Sequence, residues 1–161
     1  MANQDLSCNV KIDDFYTKEV RGMLQDYPEL NHILLERSNQ EEYSPEEIRR
    51  YIKRALSRIN MKPPTTRFGL NNFPETHWLL IVDGAVIEAL KSKGLLKIRN
   101  EMNYQDQGGT TVRLEGKGQK YMQTAMNIYR QWQQELLDFK ETLSVQSAWG
   151  GVYSEFTKDW W

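Results

Sequence analysis

Hydrophobic positions recur at helical spacing in three stretches of the chain. Ile48, Tyr51, Ile52, Ala55, Leu56 and Ile59 fall on one side of a helix, and Arg49, Arg50, Lys53, Arg54, Ser57 and Arg58 fill the other. Ser44 precedes them as an N-cap, Pro45 stands at the first helical position, and Glu46 and Glu47 complete a capping box. The two acids also meet the positive end of the helix dipole. Asn60 and the Pro63-Pro64 pair end this helix after about four turns. A second helix opens with Pro74 at its first position. From Trp78 to Ile98 it is apolar on nearly every side, which predicts a central helix surrounded by protein. Gly84 inside it costs about 1 kcal/mol against Ala and predicts a close helix crossing. Gly94 marks a bend or a break. In the third stretch Tyr121, Ala125, Ile128, Trp132, Leu136, Phe139 and Leu143 form one continuous stripe. Run from Gly118 to Ser144, that helix would span about 40 Å.

The intervening segments are less regular. Asp13 or Asp14 caps a short helix to about Gln25 with Phe15, Val20, Met23 and Leu24 as its apolar side, and Tyr27-Pro28 ends it. Ile33, Leu34 and Leu35 fit either strand or helix. Asp106 to Gly109 is turn chemistry, and Thr110, Thr111, Val112, Arg113 and Leu114 alternate as a short strand. Residues 1–12 are polar and without period, which predicts a flexible arm. Residues 147–161 hold a Gly-Gly break and then aromatics without period. The expected fold is mainly α: a bundle of about three to four helices with a small β-hairpin or strand insertion. The expected division is an arm at 1–12, a helical domain at 13–146 and an aromatic tail at 147–161.

With 161 residues the chain fits one domain, large enough to bury a real core. The net charge of -1 neither favours nor opposes a nucleic-acid partner. Cys8 is the single cysteine, so no intramolecular disulfide can form, and no basic cluster stands near it to activate the thiol. Positions 1–20 carry acids and no apolar run, as a secretory signal would not. The most apolar stretch, Trp78–Leu90, is too short for a membrane span and contains Asp83 and Glu88.

Candidate chemistry is sparse. His32 and His77 are the two histidines, and neither stands at metal-ligand spacing; His77 reads as a capping or packing residue. GKGQK at 116–120 lacks the frame of a phosphate loop, and Glu41, Glu42, Glu46 and Glu47 read as helix-start acids. No cofactor and no enzymatic activity are expected. Two features remain. The basic face of Arg49, Arg50, Lys53, Arg54 and Arg58 reads as a solvated surface, or as contact with an acidic partner or with DNA phosphates. Trp149, Tyr153, Phe156, Trp160 and Trp161 lie beyond the last periodic helix. Large apolar groups placed there predict docking on a neighbouring subunit or partner.

A further pattern is the order of landmarks: DYPELN at 26–31, EEYSPEEI at 41–48, RALSRINMKPP at 54–64, NFPETHWLLIVDGAVIEAL at 72–90, RNEMNYQDQGGTTV at 99–112, GQKYMQTAMNIYRQWQQELLDFK at 118–140 and then GGVYSEF. Over about residues 20–156 this order resembles the head–tail connector proteins of tailed phages, the neck, adaptor or head-completion proteins. The resemblance implies a structural virion subunit of the neck, made in the host cytoplasm. Its members form a homo-oligomeric ring, commonly of twelve subunits, between the portal protein and a tail or neck protein. It implies a C-terminal segment that grips the portal, with Thr110–Leu114 as a strand added to the next subunit and the basic face in passive contact with DNA in the channel. A tail-completion or collar protein of the same virion, and a small helical DNA-binding or packaging factor, are the alternative expectations.

Overall fold

The computed structural model describes residues 3–27, 41–102 and 117–156. They form four α-helices: α1 (Asn3–Leu24), α2 (Pro45–Met61), α3 (Trp78–Met102) and α4 (Lys117–Phe156). A single 3-10 turn, Glu75–His77, leads into α3. No strand occurs among the described residues, and Thr110–Leu114 and Ile33–Leu35 lie outside them.

Helix α3 is the centre, with α1, α2 and α4 all packed on it. Leu80, Ile81, Val82, Ala85, Val86, Ile87 and Ala89 are buried, as its all-round apolar sequence requires. The enclosure stops short of the last turns, where Leu95 is 60% exposed. Pro74 does not open the helix directly. It caps the 3-10 turn, and α3 begins at Trp78.

The predicted close crossing occurs at Gly84. A Cβ there would stand 2.8 Å from the Cβ of Ala55 and 3.3 Å from Cζ2 of Trp132, so α2 and α4 both press on this one position. Gly94 does not break α3. It marks a second crossing, against α4, where an added Cβ would meet Met122 and the carbonyl of Gly118. Gly118 is pressed in return on Ile98, which accounts for the glycine of the GKGQK segment by packing.

The capping box forms as its residues require: Ser44 Oγ accepts from the Glu47 amide, and the Glu47 carboxylate accepts from the Ser44 amide. At the other end of α2 the side chain of Asn60 organises the following loop. It donates to the carbonyl of Phe68 and accepts from the Phe68 amide and the Thr66 hydroxyl. That loop carries Phe68 and Phe73 onto Phe139 of α4.

Three boundaries differ from expectation. Residues 3–12 are helical and belong to α1 instead of forming an arm; the polar run contains no proline or glycine to stop a helix once its C-terminal half is packed. The buried side of α1 is Tyr16 and Val20 flanked by Ile12 and Leu24, while Phe15 and Met23 are largely exposed. And α4 runs through Gly150-Gly151 to Phe156, because a glycine lowers helix stability by only about 1 kcal/mol and does not forbid it. No break in the helix therefore falls at 147.

Helix α1 stops before Pro28 is reached. Gln25 adopts a left-handed conformation with φ 52°. Its amide donates to the carbonyl of Gly22 and the Asp26 amide donates to that of Arg21, a Schellman cap on a residue other than glycine. Left-handed backbone costs a side-chain-bearing residue roughly 1–2 kcal/mol. Gln25→Gly should therefore stabilise the fold by about 1 kcal/mol in urea denaturation, the strain relieved being partly offset by the freer unfolded chain. Gly84→Ala should do the opposite despite alanine's higher helix propensity. The added methyl must displace Ala55 or Trp132, and a loss of about 1–3 kcal/mol by the same measurement is expected.

Candidate functional surfaces

The basic face of α2 is built as predicted, but its five cations do not share one state. Arg49 lies beside Asp14 of α1 at 3.7 Å, and Arg58 pairs with Glu88 of α3 at 2.9 Å. Arg50, Lys53 and Arg54 are exposed, and no ion pair engages them among the described residues. The helix register sets this division. The three open cations stand opposite the buried Ile48, Ile52, Ala55 and Ile59, whereas Arg49 and Arg58 sit at the edges where α1 and α3 approach.

A second surface is a groove of about 380 Å³ between the start of α3 and the middle of α4, lined by Thr76, His77, Leu79, Leu80, Glu135 and Asp138 among others. His77 packs on Phe139 with ring centroids 4.7 Å apart, and its Nδ1 lies 2.7 Å from the Thr76 hydroxyl. Asp83 is half-buried at the α3–α4 contact. Burial, and then the Glu135 carboxylate, push its carboxyl up from 3.8 to about 6.

A third hollow, of about 470 Å³, is aromatic, with Phe15, Tyr16, Phe73 and Trp78 in its walls. Phe15 and Trp78 meet edge to face at 5.4 Å, which accounts for the otherwise exposed Phe15 ring.

The long helix α4 is the fourth feature. Its stripe lies as predicted: Ala125, Trp132, Leu136 and Phe139 are buried, and Tyr121, Ile128 and Leu143 half-buried. Beyond Leu143 the support ends, and residues 144–148 are all exposed. From Ser144 to Phe156 the helix continues for about 20 Å. Its register brings positions 145, 149, 152 and 156 onto one side. These are Val145, Trp149, Val152 and Phe156, a period hidden when the Gly-Gly pair is taken as a break. Tyr153 lies on the same helix, and Trp160 and Trp161 lie outside the described residues. The structure brings the basic cations together on α2 and places Trp149, Tyr153 and Phe156 on α4. These two sets occupy different elements.

Two polar sites escaped the sequence. Asp26 is buried, and its carboxylate accepts from the amides of Glu42 and Tyr43, with Arg21 at 3.6 Å. Arg21 in turn pairs with Glu41 and donates to the carbonyl of Tyr43. Lys140 is 1% exposed and donates to the carbonyl of Pro64 and to the Thr66 hydroxyl, while burial lowers its ammonium pKa. Nothing in the local sequence marks either residue, since each depends on a chain segment brought in by the fold.

Among the described residues, no group of three or more His, Cys, Asp or Glu is placed to hold a metal ion. No described helix is long and apolar enough to cross a membrane. Comparison with protein-family models, with curated protein sequences and with solved structures returns no match to this chain.

The raised carboxyl of Asp83 ties stability to pH. A proton held more tightly in the folded state means that stability is full below about pH 4 and is lost as pH rises through about 6. Asp83→Asn should therefore raise the melting temperature at pH 7.5 and leave it unchanged at pH 3.5, the gap opening between the two pKa values. Thermal unfolding followed by circular dichroism across this range checks it.

Proposed function

We propose that the chain is a structural assembly subunit, a head–tail connector of a tailed-phage virion that joins a ring between the portal and the tail. The observation that carries this reading is the far end of α4. Residues 144–148 are all exposed, and the helix continues to Phe156 with an apolar and aromatic register on one side. A helix stripe with nothing beneath it along residues 144–148 is a recognition element for a groove on another protein. Its aromatic residues are the types that dominate binding hot spots.

The rest of the architecture suits a part that transmits position. Two glycine crossings and a central helix buried along much of its length make a stiff bundle, and the segment after Leu143 is a direct continuation of one of its helices. A partner gripping the end of α4 is thereby fixed relative to the whole bundle. The order of sequence landmarks supports the portal as that partner, and the same features suit a tail-completion or collar component. The open cations of α2 support a second reading, a DNA-binding or packaging factor. That reading requires tight binding to duplex DNA with a steep dependence on salt.

Truncation before Trp149 tests the first reading. The shortened chain should keep its melting temperature within a few degrees, because the segment removed lies beyond the packed stripe. It should lose co-sedimentation with the portal protein. Retained portal binding by the truncated chain would reject the assignment.

A further inference from the structure

The charge of the chain is nearly balanced overall, yet two small exposed patches of opposite sign stand on different helices. On one side stand Arg50, Lys53 and Arg54, exposed and without ion pairs among the described residues. On the other, Glu135 and Asp138 are exposed along the groove beside the start of α3. These acids meet no cation across an ion pair among the described residues.

The two faces cannot meet within one copy. Lys140 marks the side of α4 that is turned toward α2, since it reaches Pro64 and Thr66 in the loop that follows that helix. Glu135 and Asp138 lie on another side of α4, in the groove with Thr76, His77 and Leu80. Each face also carries an apolar group: Met61 is exposed at the end of α2, and Leu79 is exposed in the groove.

We propose that the outer face of α2 docks on the acidic flank of α4 of a second copy of this chain, so that copies associate head to tail. This rests on the assembly reading in taking a protein as the occupant. Charge complementarity selects that occupant. Asp14 and Glu88 already hold the two edge cations, which leaves an open patch of only three, about one turn long. That is a small footprint for a phosphate backbone, whose binding grows with each cation engaged. It is well matched to two carboxylates on a facing helix. The contact uses a different surface at each end, so successive copies repeat one rotation and close into a ring or extend as a filament.

Sedimentation velocity of the full chain over a range of concentrations, at low and high salt, reads the association. Concentration-dependent oligomers are expected at low salt and their loss at high salt. R50E/K53E/R54E and E135K/D138K should each sediment as monomers, and an equimolar mixture of the two should associate again, because each reversed face then meets a complement. The restored mixture excludes misfolding as the cause of either loss. Absence of association by the parent chain, or association left intact in E135K/D138K, would overturn the proposal. So would a triple variant that loses binding to duplex DNA while associating as the parent does. Each of these results is independent of the truncation before Trp149, which reads the end of α4 alone.

Discussion

Trp132 sits where three helices converge, and the register of the whole bundle follows from its position. Its indole Nε1 donates to the carbonyl of Leu80 at 2.7 Å, near the start of α3, and its six-membered ring lies against Gly84 one turn further on. Any side chain at 84 would hold the indole away from that carbonyl. The missing Cβ and the buried hydrogen bond are therefore one arrangement, a polar anchor reachable only through a gap in the apolar surface. Because the anchor fixes α4 along α3, it also fixes how much of α4 is left over. The Gly94–Gly118 crossing holds the register at the other end of the contact. The described residues that follow the stripe, 144–148, are then all exposed, which is how a packing constraint in the core sets what α4 presents at the surface.

The sequence made the helices legible because each carried its own signal. The capping box at Ser44, the unbroken apolar run after Trp78 and the stripe from Tyr121 to Leu143 are local patterns, and local patterns survive into the structure. The basic face was legible for the same reason. Where glycine and proline were taken as punctuation, the reading was poorer. Gly94 and Gly150-Gly151 lie within continuous helices, whereas the expected end of α1 at about Gln25 is where the left-handed cap stands. Val20 and Leu24 lie on the buried side of α1 as expected, but Phe15 and Met23 do not: they are more apolar than Tyr16, yet Ile12, Tyr16, Val20 and Leu24 keep the stricter i, i+4 spacing. Period decides the buried side here, and apolarity does not. The division of the basic face into paired and open cations depended on Asp14 and Glu88, which come from other helices and are invisible to a local reading.

The loops are held by polar groups, whereas the helices are held by apolar ones. Asn60 and Lys140 both bind the loop that follows α2, one at its start and the other from α4, and so place Phe68 and Phe73 against Phe139. Buried charge of this kind is costly unless every donor finds an acceptor. Lys140 places two of its three ammonium donors on a backbone carbonyl and a hydroxyl, so it carries its charge without a counter-ion in that contact. Its contribution lies in specifying one loop conformation, since it ties the Pro64 carbonyl and the Thr66 hydroxyl to α4.

Asp26 does comparable work between the end of α1 and the approach to α2, and its geometry bears on how the molecule can vary. The carboxylate grips the amides of Glu42 and Tyr43, so the backbone on either side of residues 28–40 is tied at its base by the same few atoms. A tie of this kind separates the length of a segment from the geometry of its ends. Lengthening a chain between fixed ends costs only about 0.6 kcal/mol for each doubling. The ends at Tyr27 and Glu41 thus keep their places through the grip of Asp26, whatever the length of chain that joins them.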